Sequence, residues 1–144
     1  LVRCRREWYV WEGPENLVSL MVDKEMIMPL IQLETSCDLS DRSKRESVAK
    51  ALSRLTAEGI GKPEQYVMAC VQDKAAMTMA GEPGPCALVT VQSIGGLSKS
   101  VNQNLTGRIC QMLEEELAIP TDRVYVTFQE LAPTHWGWDR HTFG

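Results

Sequence analysis

Between residues 29 and 35 apolar and polar side chains alternate: Leu30 and Ile31 come together, then Leu33, then Thr35. That is the pattern of a strand with one wetter face. Ser40 next offers an N-cap with Asp41 in the first turn, and Val48, Ala51, Leu52 and Leu55 recur at i, i+3, i+4 and i+7. These positions predict a helix running to about Gly59, where glycine suits a C-cap. Gly61-Lys62-Pro63 is a turn, and residues 66–72 read as a second strand. The order then repeats. Residues 86–94, with Leu88, Val89, Val91 and Ile94, form a strand that Gly95-Gly96 breaks. Val101, Leu105, Ile109, Met112, Leu113 and Leu117 mark one face of a second helix, which Pro120 ends. Residues 123–130 are a strand with Val124, Val126 and Phe128 on one side and Tyr125, Thr127 and Gln129 on the other.

Two βα units, each returning to a strand, imply an α+β fold of β-α-β-β-α-β order. A crossover through a helix lets each unit pair its own strands in parallel. The result is a four-stranded mixed sheet with two helices on one face. The pairs Leu30/Ile31 and Leu88/Val89 place apolar residues on both sides of the sheet, so the face without helices needs a second cover. Another subunit is the simplest one, and the pattern predicts an oligomer.

Residues 1–28 do not share this regularity. Trp8, Trp11, Gly13-Pro14 and a near-balance of acids and bases follow no clear period, and the interrupted apolar stretches exclude a secretory signal. The chain therefore divides into a leader, residues 1–28, expected to be non-native or removed, and a domain, residues 29–144. A structural arm is the rival reading of the leader.

Composition narrows the function. With 44% apolar and 24% charged residues the chain can build one core, and a formal charge of −4 gives no electrostatic reason to expect nucleic acid or an anionic membrane as partner. No apolar run approaches the roughly 20 residues of a membrane span. The five cysteines, Cys4, Cys37, Cys70, Cys86 and Cys110, form no paired spacing, which points to free thiols in a reducing, cytoplasmic compartment. His135 and His141 lie six apart, not at the i, i+4 spacing of a helical metal pair, so no metal and no cofactor is expected. Gly81-Glu82-Pro83-Gly84 and Ile94-Gly95-Gly96 do not fit a phosphate-binding glycine motif.

One dipeptide stands out. Met28-Pro29 sits directly before the first strand. If translation starts at Met28, loss of the methionine exposes a secondary amine. An α-amino group titrates near about 8, and partial burial beside a cation lowers it further, into the range of a general base.

At this point the residues resemble a known family, that of macrophage migration inhibitory factor and D-dopachrome tautomerase. The shared stretches are Pro29 opening the first strand, Gly61-Lys62-Pro63-Glu64-Gln65-Tyr66, Pro85-Cys86-Ala87-Leu88, Ser93-Ile94-Gly95, Pro120-Thr121-Asp122-Arg123-Val124-Tyr125, Trp136-Gly137-Trp138 and Thr142-Phe143. They run in order from Pro29 to Gly144, and the leader has no counterpart. The resemblance implies a homotrimer with active sites between subunits and a cofactor-free keto–enol tautomerase for phenylpyruvate-like or dopachrome-like substrates. It implies Pro29 as the catalytic base and Lys62 as the cation that holds a substrate carboxylate. Ile94 would present its backbone to the substrate, and Tyr125 would reach in from the neighbouring subunit, with Thr127 close by. Leu30, Trp136, Trp138 and Phe143 would be apolar walls for a small aromatic keto acid. The alternative function it implies is a cytokine-like ligand of a cell-surface receptor, released without a signal peptide.

The departures qualify that picture. Relatives with thiol–disulfide activity carry a second cysteine where this chain has Val89, which excludes that role for Cys86. An asparagine common in the family is Thr127 here, which is expected to alter the substrate's orientation. Two extra residues near Glu58-Gly59-Ile60 precede the Lys62 turn. Trp136 stands where animal members carry a small aliphatic, so the pocket mouth is expected to be narrower. Relatives with hydratase or dehalogenase chemistry place arginine near the proline, where this chain has Lys62.

Overall fold

The computed structural model describes residues 28–144. The expected leader lies outside the described residues except for Met28. The elements are β1 (Leu30–Thr35), α1 (Arg42–Ile60), β2 (Met68–Gln72), β3 (Ala87–Ser93), α2 (Lys99–Leu117) and β4 (Val124–Glu130). A short hairpin of β5 (Gly137–Trp138) and β6 (His141–Thr142) follows. The four long strands form one sheet in the order β2-β1-β3-β4. β1 pairs β2 in parallel, β3 pairs β4 in parallel, and β1 meets β3 antiparallel. This is the mixed sheet that the repeated pattern predicts.

Both helices lie on one face. Ile31, Leu33, Val89 and Val91 point into a core with Val48, Leu52 and Leu55 of α1 and Leu105, Ile109 and Leu113 of α2. Burying each such side chain contributes about 1.5–3 kcal/mol. Two ion pairs, Lys44 with Glu116 and Arg108 with Glu58, tie the helices together on their solvent side. Being exposed, they add little to stability. No helix among the described residues is long and apolar enough to cross a membrane.

The helix ends differ from the expected ones for local reasons. Asp41, not Ser40, caps α1: its carboxylate accepts from Ser43 N at 2.9 Å, and its carbonyl accepts the first helical bond from Arg45 N. Ser40 is engaged the other way, donating its hydroxyl and its N–H to Asp38. The C-cap is Gly61 in the left-handed region, φ +76°. Gly59 lies inside the helix, where a Cβ would stand 2.3 Å from Leu105 Cδ2. It is there so that α1 and α2 can cross closely. α2 ends at Leu117, before Pro120 acts. Ala118 turns left-handed, and Ile119 N reaches back to Leu113 O, closing a Schellman-type cap with Ile119 buried beneath it.

The open face of the sheet is less apolar than expected. Three rows cross it: Met68–Leu30–Gln92–Gln129, Cys70–Gln32–Thr90–Thr127, and Gln72–Glu34–Leu88–Tyr125. The middle row is polar apart from Cys70, and Thr127 Oγ1 lies 3.2 Å from Thr90 Oγ1. Gln92 Nε2 donates to Gln129 Oε1 at 2.7 Å. Apolar surface is confined to Met68 and Leu30 at one end and Leu88 and Tyr125 at the other.

Candidate active site

The sheet's direction decides which residues share an end. β1 and β2 begin where β3 and β4 finish, because the central pair is antiparallel and the flanking pairs are parallel. Pro29 is therefore placed beside the segment that leads into β2 and the segment that leaves β3. Pro29 is buried, and its carbonyl accepts from Met68 N at 3.1 Å, which extends the β1–β2 ladder by one bond. Leu30, next along, is half-buried on the open face.

Lys62 enters this end through the cap of α1. Its N–H and that of Gly61 both donate to Ala57 O at 2.9 Å, so the lysine backbone is held by the last helical turn. A 3₁₀ turn at Glu64–Tyr66 then leads into β2. Lys62 is half-buried and makes an interaction of its own. Glu58-Gly59-Ile60, just before it, form the last residues of α1. Ile94 follows β3 directly, also half-buried. Behind it Ser93 is fully buried: its hydroxyl donates to Gly95 O at 2.8 Å and its carbonyl accepts from Leu131 N at 2.9 Å. Gly95 and Gly96 are both left-handed, which allows the reversal after Ile94.

β4 delivers the C-terminal segment to the same end. A 3₁₀ turn at Pro133–His135 precedes the hairpin, whose two turn residues, Asp139 and Arg140, are both left-handed, as a two-residue hairpin turn requires. Phe143 N donates to Trp136 O at 3.1 Å. The Trp138 and Phe143 rings are stacked with centroids 6.3 Å apart and planes 8° from parallel. Trp136 is half-buried, whereas Trp138 is 58% exposed. Trp138 and Phe143 thus form one stacked pair on a hairpin that Trp136 leads into.

Tyr125 is elsewhere. It pairs with Leu88, which pairs with Glu34, four residues along β1 from Leu30. At about 3.3 Å per residue that is over 13 Å from the Pro29 end. One chain does not bring Tyr125 to Pro29. Tyr125 is 67% exposed on the edge strand, with Thr127 two residues further along the same face. Thr127 reaches only the middle row, and its hydroxyl is engaged with Thr90. Of the expected site residues, Pro29, Leu30, Lys62 and Ile94 lie at or next to one sheet end, Trp136, Trp138 and Phe143 follow β4 beyond that end, and Tyr125 and Thr127 lie further back along β4.

The sequence reading passed over Tyr66. It took this residue as the first of a strand, but the strand starts at Met68 and Tyr66 closes the 3₁₀ turn, half-buried, between Lys62 and the residue bonded to Pro29. The signal was its place in the motif with Lys62. Among the described residues no group of three or more His, Cys, Asp or Glu could hold a metal ion. Cys86 is buried at the far end of β3, with its N–H bonded to Ser36 Oγ.

Comparison with known proteins agrees with this architecture. The family model described as macrophage migration inhibitory factor matches residues 28–144. The rat macrophage migration inhibitory factor is 32% identical over 116 residues, 81% of this chain and 99% of that protein. The homolog from Brugia malayi is 31% identical over 117 residues, 81% of this chain and 100% of that protein. Among solved structures, the homologue from Prochlorococcus marinus superposes with a TM-score of 0.75 at 37% identity, covering 80% of this chain and 99% of that one. With the fold, the sheet end and these matches in agreement, the chain belongs to the macrophage migration inhibitory factor family.

Proposed function

We propose that this protein is a cofactor-free keto–enol tautomerase acting on phenylpyruvate-like or dopachrome-like acids, with Pro29 as its general base once that residue is the free N-terminus. One observation carries the reading: a buried proline at the start of a central strand, at the sheet end where the Lys62 turn leads into β2 and Ile94 leaves β3. The match of the family model from residue 28 onward supports the same starting point.

In this mechanism the imino nitrogen of Pro29 takes the proton from the carbon beside the substrate carbonyl. The electron pair of that C–H bond becomes the enol double bond, and the proton returns at the carbonyl oxygen. The Lys62 ammonium holds the substrate carboxylate and disfavours a second positive charge on Pro29, which keeps the base unprotonated near neutral pH. Leu30 and the Trp136, Trp138 and Phe143 rings accept the aromatic ring and exclude water. Tyr125, with Thr127, comes from a neighbouring copy, and the assembly is a homotrimer with its sites between subunits. While Met28 remains attached, the Pro29 nitrogen is an amide and has no lone pair for the proton.

The test is the phenylpyruvate tautomerase rate of protein whose first residue is Pro29. Replacing the base, Pro29→Gly, is expected to lower kcat/KM by about 100-fold or more. An undiminished rate in that variant, or in protein with a chemically blocked N-terminus, ends the proposal.

A further inference from the structure

The bond between Met28 and Pro29 is not in a loop. Met28 is 9% exposed, Pro29 is buried, and the Pro29 carbonyl is already bonded to Met68 N. The next residue, Leu30, is paired on both sides, with Met68 of β2 and Gln92 of β3. β1 is an inner strand that carries Ile31 and Leu33 into the core. Proteolysis concentrates at exposed loop tips, because a protease must bind several residues around the scissile bond as an extended, unpaired segment. Here the residues after the bond are paired by the sheet itself. Freeing them means opening β1, which costs most of the fold's stability. The proline adds a second obstacle, since it has no N–H for a protease to bind.

We propose that a folded chain carrying residues before Pro29 is a latent form of the enzyme, and that its latency is set when the chain is made and is not relieved afterwards by cleavage. The inference rests on the reading of Pro29 as the base. Activation would require hydrolysis, with water's hydroxyl going to the Met28 carbonyl carbon and its hydrogen to the Pro29 nitrogen, and the folded sheet withholds that bond. The active population is then the one whose synthesis starts at Met28 and loses that methionine before β1 is paired. The two populations differ by origin and do not interconvert.

The experiment uses the full 144-residue chain beside protein starting at Pro29. Each is read by intact mass and by phenylpyruvate tautomerase rate, before and after incubation with a broad endoprotease and with an X-prolyl aminopeptidase. An unstructured peptide of residues 20–35 serves as the control for cleavage of the same bond. The expected result is at least a 100-fold lower rate for the full chain, trimming that stops upstream of Pro29, no gain of rate, and cleavage of the peptide to Pro29. Release of a Pro29 terminus from the folded chain with recovery of full rate overturns the proposal, as does an uncut full chain of full rate. An inactive Pro29-terminated protein instead overturns the tautomerase reading, while the mass result still decides whether the bond is protected.

Discussion

Gly59 and Gly107 both lie inside helices, and they are expected to respond oppositely to the same change. A Cβ at Gly59 would run into the Leu105 side chain, whereas one at Gly107 meets nothing within 4 Å. Gly59→Ala is expected to destabilise the fold by about 1–3 kcal/mol, through displacement of a fully buried leucine. Gly107→Ala is expected to stabilise it by about 0.5–1 kcal/mol, because alanine removes freedom from the unfolded chain. Chemical denaturation of the two variants beside the parent checks both signs. The cysteines differ in the same site-by-site way. Cys70 is exposed on the open face and Cys86 is buried, while burial pushes the Cys110 thiol above its ordinary value. Alkylation at neutral pH, followed by peptide mapping, is expected to mark Cys70 ahead of Cys86 and Cys110. None of this was legible in the sequence. A glycine near a helix end reads as a stop signal, and only the neighbouring helix shows that Gly59 is a point of close approach.

At the scale of elements, the caps explain where reading from sequence works and where it drifts. The apolar spacing of Val48, Leu52 and Leu55 located α1 because packing against a sheet imposes that period on any sequence. The ends drifted because Ser40, Asp41 and Asp38 all have the chemistry of a cap, and their division of labour depends on the fold. Asp41→Ala is expected to lower stability by about 1 kcal/mol, the usual loss for a capping carboxylate, while Ser40→Ala leaves α1 capped. Thermal melts of the two variants separate these outcomes. Asp38 carries a pH signature. Bonds from the Ser40 hydroxyl and from Lys74 hold its carboxyl below the ordinary 3.8. A carboxylate depressed in the folded state favours folding fully above its unfolded value, and the benefit is lost as pH falls through the lower folded value. Asp38→Asn is therefore expected to melt lower than the parent near neutral pH and to converge with it as the pH drops below 3.8. Melting curves across that range check the sign.

For the whole molecule, the separation of Tyr125 from Pro29 makes a distinct prediction. If each site takes its base from one copy and its tyrosine from the next, Pro29→Gly and Tyr125→Ala chains are each nearly inactive alone. Unfolded together and refolded, they should assemble at random, and roughly a quarter of the sites then hold both native residues. Recovery of about that fraction of the parent rate is the expected outcome, and mixtures no better than either variant would place both residues in one subunit. The repeated βα pattern sufficed to foresee a four-stranded mixed sheet with parallel pairing inside each unit, since crossover rules leave few alternatives, while the order β2-β1-β3-β4 came from the structure. The division of the site was beyond pattern alone: only the register Tyr125–Leu88–Glu34 shows how far the edge strand's open face lies from the chain's buried proline. The apolar residues expected on the second face are there, but they do not form one patch. Leu30 and Leu88 do face outward, but they stand at opposite ends, and Gln32, Thr90 and Thr127 fill the space between them.

The antiparallel joint between β1 and β3 has a geometric consequence for how copies combine. It makes the two βα halves of the chain point opposite ways, so that what one half needs at the north pole of the sheet is displayed at its south pole. Two molecules paired about a two-fold axis can satisfy both poles at once, since each then sets its north pole against the other's south. Contacts that run from the tail of one molecule to the head of the next satisfy every pole only when the circle closes. Should each site join two copies, every added molecule completes one site, and a stray open end leaves one unfinished.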